Sequence, residues 1–407
     1  MSGRRHRLVG AVSAVGAFLM VGAAPLATAP AANADWDDLF QPIIDVFTIA
    51  DPGIAADTDP GSALASLDTL IDGWYQDLIY TPVHSIAPWL FGANDVAGSA
   101  VSSYGPDTPV ADLPSSFTVP MDVNLGTQPV ISVSVGGGAQ TSVLVDTGAA
   151  GLVVPIWNIN PFGITGLPTG FSMGQFGSAL NYFYVELPTT VTFTEADGDT
   201  VTADTTVDAV LFAFPTNFLG AWSIEQYLAG SSTGILGIGP NALGPTPDHI
   251  PTRDLPGDLG NGVLIDQANK QLIFGDNPLQ GGTVIPGAPW ADLKVQLNDG
   301  PLTPVRGVID SGGVYGTMPT SVLGGVTPTA GGQLPAGTEI SVYDKDGTTL
   351  LYSYTVGSNP GEVRSPTVVG GNNMNTGNWL FAQEPVYINY GVAGGQTIIG
   401  GTPIQAG

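Results

Sequence analysis

Not one of the 407 residues is a cysteine. Disulfides, thiolate nucleophiles and cysteine-type metal sites are excluded, so stability must come from the core that a chain of this length can bury. Histidine is almost as scarce, at three residues. His6 lies in an N-terminal leader, and His84 and His249 alone are too few for a zinc centre. Lys and Arg number nine against 35 Asp and Glu, a formal charge of -26. Such a surface repels a phosphate backbone, whose binding depends on basic side chains displacing counterions, so nucleic acid is not an expected partner. Charged residues are also few overall, at 11% against 43% apolar, which is the reverse of a disordered composition. What is abundant is glycine, 57 residues, and proline, 34. That density breaks long helices and suits short strands joined by turns, so the chain is expected to be mainly β.

The leader has three parts: Arg4, Arg5 and Arg7, an apolar run from Leu8 to Ala24, and Ala32-Asn33-Ala34. A basic start, a short apolar stretch and a small-residue Ala-x-Ala site make residues 1–34 a secretory signal peptide, with cleavage near Ala34. The run is at or below the length that a membrane span requires, and no later segment reaches it. The mature chain is therefore expected to be secreted or associated with the cell envelope, as a monomer without a transmembrane span.

Residues 35–115 differ in composition from the rest. Leu39, Phe40, Ile43, Ile44 and Phe47, then Leu64, Leu67, Leu70, Ile71, Trp74, Tyr75 and Leu78, recur at three- and four-residue spacing. This predicts a helical N-terminal extension and linker. From Phe117 the pattern becomes alternation, as in Val130-Ile131-Ser132-Val133-Ser134-Val135, with Gly136-Gly137-Gly138 as a turn. Glu195-Ala196-Asp197-Gly198-Asp199 and Asp344-Lys345-Asp346-Gly347 are predicted hairpin turns, since Asp-Gly suits a tight turn and neither follows a calcium-loop spacing. An internal echo links Val263-Leu264-Ile265-Asp266 and Gln271-Leu272-Ile273-Phe274-Gly275 to Val386-Tyr387-Ile388-Asn389 and Gln396-Thr397-Ile398-Ile399-Gly400. Each pair is expected to close one of two related β lobes, 116–280 and 281–407.

Each lobe holds one Asp in the same setting: Val143-Leu144-Val145-Asp146-Thr147-Gly148 and Gly307-Val308-Ile309-Asp310-Ser311-Gly312. A carboxylate placed directly after a buried apolar strand is costly unless it is hydrogen-bonded or shares a proton. The hydroxyl residue that follows supplies a donor, and the glycine an unhindered turn.

In order along the chain, Asp-Thr-Gly, a glycine-rich hairpin, Gly234-Ile235-Leu236-Gly237-Ile238-Gly239, Phe274-Gly275 and Asp-Ser-Gly resemble the pepsin-type aspartic proteases over residues 117–404. The absence of Cys and the glycine-rich style are especially similar to the aspartic protease domains of mycobacterial PE-type surface proteins. The resemblance implies a bilobal pepsin-like fold without a cofactor or metal, in which Asp146 and Asp310 share a catalytic water and Thr147, Gly148, Ser311 and Gly312 support their loops. One carboxyl would act as base and the other as acid, with the assignment open because such a pair titrates as a unit. An apolar-apolar-Gly element crosses behind each catalytic loop in that family. Ile235-Leu236-Gly237 matches the first, and Val368-Val369-Gly370 is the candidate for the second. The hairpin around Phe176, Gly177 and Ser178 is expected to be the substrate-covering flap, where Phe176 stands at the family's usual Tyr and Tyr182 or Tyr184 is left to supply a hydroxyl. Ala149, where a Ser is common, implies an altered pH dependence.

The expected activity is hydrolysis of extended segments of exported or envelope polypeptides, this chain possibly among them. A serine hydrolase reading of Gly230-Ser231-Ser232-Thr233-Gly234 fails because no buried strand precedes Ser232. The alternative is an inactive pepsin-like binding or scaffolding module, since fold does not fix function.

Overall fold

Alternation in the sequence becomes strand almost wherever it occurs in the computed structural model, which describes residues 102–403 apart from 178, 218 and 358–363. The leader and the amphipathic helices expected before residue 102 lie outside the described residues. The described end of the 35–115 segment contributes a two-residue strand, Ser103–Tyr104, and one 3-10 turn, Val110–Asp112.

The first large sheet is built from β1 (Gln128–Val135), β2 (Gln140–Asp146), β3 (Ala150–Pro155), β4 (Gly170–Phe176), β5 (Leu180–Thr194), β6 (Thr200–Pro215) and β7 (Gly234–Ile238). A one-turn helix, α1 (Ile224–Tyr227), lies between β6 and β7. Burial in β5 alternates along most of its length, so one face packs on the core while the other is partly exposed. β5 and β6 turn at Asp197-Gly198, where Gly198 takes φ +102, a conformation that L side chains rarely adopt. The expected acidic hairpin turn is therefore present. It also gathers the Glu195, Asp197 and Asp199 carboxylates within 4.8 Å of one another, two of them already accepting backbone N–H groups of Thr118 and Ser102.

The echoing segments form β8 (Gly262–Asp266) with β9 (Gln271–Gly275), and a later hairpin described below. The second large sheet contains β10 (Trp290–Leu297), β11 (Thr303–Val308), β12 (Thr317–Pro319), β13 (Glu339–Tyr343), β14 (Leu350–Thr355), β15 (Thr367–Val369) and β16 (Asn373–Asn375). β17 (Val386–Asn389) and β18 (Gln396–Ile399) complete the echo.

Both echoing segments are hairpins, yet they do not close separate units. β8 pairs antiparallel with β17, Val263 opposite Ile388, and the four strands join Ser116–Pro120 and Thr283–Pro286 in one six-stranded sheet. The reason is burial. Every residue of β8 is inaccessible, so its edge needs a strand partner on each side, and the related hairpin supplies the second one. A single apolar cluster runs from Val133 and Leu152 through Val263 and Ile388 to Val295 and Met374, tying the two large sheets to the shared one. Among the described residues no helix is long and apolar enough to cross a membrane.

Candidate active site

β2 and β11 each deliver a chain segment ending in an aspartate, and a crossing strand fixes each ending. β7 runs parallel to β2, with Gly237 opposite Asp146, and antiparallel to β3, with Gly237 opposite Gly151. A side chain at Gly237 would sit 2.4 Å from the Ala150 nitrogen, so only glycine lets the three strands pack there. The matching element in the second half is β16, parallel to β11 and antiparallel to β12. Val368-Val369, expected there, instead belongs to β15 on the far side of β12. An apolar search misses β16 because the crossing position carries Asn375-Thr376-Gly377, whose polar side chains are used on Asp310.

The two catalytic-type loops lock together by matched hydrogen bonds. The Thr147 hydroxyl donates to the Ile309 carbonyl at 2.6 Å and accepts from the Ser311 N–H at 2.8 Å. The Ser311 hydroxyl donates to the Val145 carbonyl at 2.7 Å and accepts from the Thr147 N–H at 3.0 Å. Both side chains are fully buried. Thr147→Val would strand one N–H and one carbonyl in the core, at a cost on the order of 1–3 kcal/mol each. A loss of about 3 kcal/mol in urea unfolding is expected for Thr147→Val, and no more than about 1 kcal/mol for Thr147→Ser, which keeps the hydroxyl.

This brace brings the two carboxyls face to face. Asp146 and Asp310 hydrogen-bond each other, and each also accepts from the glycine two residues on, Gly148 at 2.7 Å and Gly312 at 3.0 Å. The glycines do more than permit a turn. A Cβ on Gly148 would lie 2.6 Å from the Asp310 carboxyl carbon, and one on Gly312 would lie 2.6 Å from that of Asp146. Each glycine is the floor on which the opposite carboxyl rests.

The pair is not symmetric. Burial raises the pKa of Asp146 well above the usual carboxylate range, and the charge of Asp310 raises it further against weaker N–H donation from Gly148 and Ala149. Burial raises Asp310 as well, but donation from Asp146, Asn375 and the backbone N–H groups of Gly312 and Gly313 opposes it. The Asn375 amide nitrogen donates to Asp310 Oδ2, Asn375 Oδ1 in turn accepts from the Gly377 N–H at 2.8 Å, and the Asp310 N–H donates to the Thr376 hydroxyl at 3.0 Å. Gly313 makes room, because a Cβ there would fall 2.3 Å from Asn375 Oδ1. Ala149, on the other side, offers Asp146 only its backbone N–H.

The hairpin expected over the site is formed by β4 and β5, and its tip places Phe176 against two rings, Tyr182 at 4.7 Å and Tyr227 at 6.1 Å. Gly177 takes φ +55 at the turn, and Ser178 lies outside the described residues. Tyr182 is not a substrate-facing residue: it is 1% exposed, its hydroxyl lodged beneath Gly174, where a Cβ would be 2.3 Å away. Tyr184 is also buried and hydrogen-bonded to Ser172. Both sit on the inner face of β5, whose alternation sends even-numbered residues from 180 to 184 into the core. Ser232 is buried with its hydroxyl toward the Gly234 carbonyl, so it offers no exposed nucleophile.

With this geometry in view, the comparisons with known proteins are specific. The family described as the PE-PGRS C-terminal aspartyl peptidase-like domain matches residues 117–398. PE cleavage protein A of Mycobacterium tuberculosis (strain ATCC 25618 / H37Rv) is 40% identical over 309 residues, covering 72% of this chain and 52% of that protein. PE cleavage protein A of Mycobacterium marinum is 42% identical over 300 residues, 69% of this chain and 52% of its own. The chain thus spans about half the length of these relatives. Two braced aspartate loops and a match over most of the described residues lead to one assignment: the chain belongs to the PE-PGRS C-terminal aspartyl peptidase-like domain family.

Proposed function

We propose that the chain is a secreted, pepsin-like bilobal aspartic endopeptidase that cleaves extended segments of exported or cell-envelope proteins. The observation that carries this reading is the hydrogen-bonded Asp146–Asp310 pair at the meeting point of two matched loops. Two carboxyls this close cannot both ionise easily, so over an acidic range they hold one proton. The Asn375 amide and the Gly312 N–H donate to Asp310 and favour its charged form, so in this reading the shared proton is placed on Asp146. Asp310 then takes a proton from a water held between them, and the water oxygen attacks the scissile carbonyl carbon. Asp146 gives its proton to the carbonyl oxygen as the diol forms, Asp310 passes the proton taken from water to the leaving nitrogen as the C–N bond breaks, and Asp146 recovers a proton from a diol hydroxyl as the new carboxyl forms.

An extended polypeptide fits under a β-hairpin by backbone pairing, leaving side-chain pockets to set preference. The relatives' name, PE cleavage protein A, supports proteins that carry a PE domain as a substrate class. Export through the 1–34 leader would bring the enzyme and such substrates to the same compartment.

The test is digestion of an unbiased peptide mixture by the chain from Asp35, from pH 3 to 7, with every product sequenced. Internal cleavage is expected. Its absence with folded protein would favour a binding module. The acid assignment has its own signature. Removing the Asn375 amide takes a donor from ionised Asp310 and so raises that carboxyl's pKa. Asn375→Ala should move the acidic limb of the kcat/KM profile to higher pH, whereas an unmoved limb would place the base elsewhere.

A further inference from the structure

The hairpin tip expected over the candidate site carries Phe176, and neither buried tyrosine of β5 can lend it a hydroxyl. A phenol does reach the same place from another element. α1 is held in a fixed pose: the Ser223 hydroxyl accepts from the Gln226 N–H at 3.1 Å, and Gln226 Oε1 accepts from the Trp222 N–H at 2.9 Å. Ile224 and Leu228 bury their side chains in the cluster that contains Ala149, Phe176 and Ile235, with Tyr227 packed partly buried on its edge. Its ring stacks on Phe176 at an interplanar angle of 22°. Its hydroxyl faces the bare side of Gly177, where a Cβ would lie 3.2 Å away.

Two further observations bear on what this hydroxyl can do. It makes no hydrogen bond among the described residues. Burial, and then the fields of Asp146 and Asp310, push its pKa up to about 12, so it stays an O–H donor throughout the range in which the carboxyl pair works. The phenol is therefore close enough to feel both carboxyls, lies against the hairpin tip, and has an unused donor.

The geometry points to Tyr227 as the donor that positions the substrate backbone between the hairpin tip and the carboxyl pair, a role that the tip residue Phe176 cannot perform. This deepens the protease reading and rests on it. The extended substrate passes under Gly177, where its nearest backbone carbonyl accepts from the Tyr227 hydroxyl. Gly177 suits its left-handed backbone, and a Cβ there would press on the Tyr227 hydroxyl at 3.2 Å.

The experiment compares wild type, Tyr227→Phe and Tyr227→Leu on one peptide identified from the digestion, with near-UV circular dichroism confirming the fold of each. Loss of one hydrogen bond tightened at the transition state predicts about a tenfold fall in kcat for Tyr227→Phe, with KM changed less than about twofold. Tyr227→Leu, which also removes the ring, should lose at least as much kcat and raise KM. Wild-type kcat in Tyr227→Phe beside impaired Tyr227→Leu would reduce Tyr227 to a wall of the cleft and overturn the inference while leaving the protease intact. Failure of folded wild type to cleave any peptide would instead remove the protease reading and this inference together.

Discussion

Replacing Asp146 or Asp310 by Asn is expected to lower kcat/KM by at least about a thousandfold, and the double replacement to lower it little further, because groups that act as a unit lose their effect together. Asn is nearly isosteric but cannot exchange the proton on which the pair depends. The loss should not come from unfolding. A carboxyl whose folded pKa is raised, as both are here, favours the folded state most below its unfolded value and loses that contribution as pH rises toward the folded pKa. An Asn side chain has no such penalty at neutral pH. Thermal melts at pH 7 should therefore show Asp146→Asn at least as stable as wild type, with the difference shrinking toward pH 3. A variant that is inactive only because it melts early would contradict this account.

The second large effect is expected from a single methyl group. Gly148→Ala places a carbon 2.6 Å from the Asp310 carboxyl carbon and 2.7 Å and 2.8 Å from its two oxygens. Gly312→Ala does the same to Asp146, at 2.6, 2.8 and 2.9 Å. Neither glycine is in the left-handed region, so alanine suits the backbone and the whole effect falls on the opposite carboxyl. That carboxyl must swing away, breaking the shared hydrogen bond. A displacement near 1 Å costs about a hundredfold in rate when groups must meet a reacting atom. Each variant should lose at least that in kcat/KM, measured by steady-state kinetics, while its melting temperature falls less than that of Thr147→Val. Near-normal rates in Gly148→Ala would mean that the pair tolerates separation and does not act through one proton.

Much of this arrangement is legible in the amino-acid sequence. Asp146-Thr147-Gly148 and Asp310-Ser311-Gly312 could be found because an acid after an apolar strand is anomalous, and the crossing strand with Ile235-Leu236-Gly237 because it is wholly apolar. Its counterpart at Asn375-Thr376-Gly377 could not be found the same way. Its side chains had been given over to hydrogen bonds with Asp310, which erased the apolar pattern. The burial of Tyr182 is not legible in the same way, because alternation reveals that a strand has two faces but not which one meets the core. Tyr227 carried no signal beyond an aromatic on a one-turn helix, and its relation to Gly177 exists only once β4, β5 and α1 are packed. The pairing of the two echoing hairpins was similarly hidden, since repetition shows that two units are alike without showing that they join.

The central claim is one proton shared between two carboxyls that together cleave a peptide bond. Its most direct test is the pH dependence of kcat/KM from pH 2 to 8 on one sequenced substrate, for wild type beside Asp146→Asn and Asp310→Asn. The account predicts a bell-shaped profile for wild type, whose two limbs belong to the pair, and no cleavage by either variant at any pH. Cleavage retained by either Asn variant, or a wild-type rate that rises with pH to a plateau with no upper limb, would contradict it.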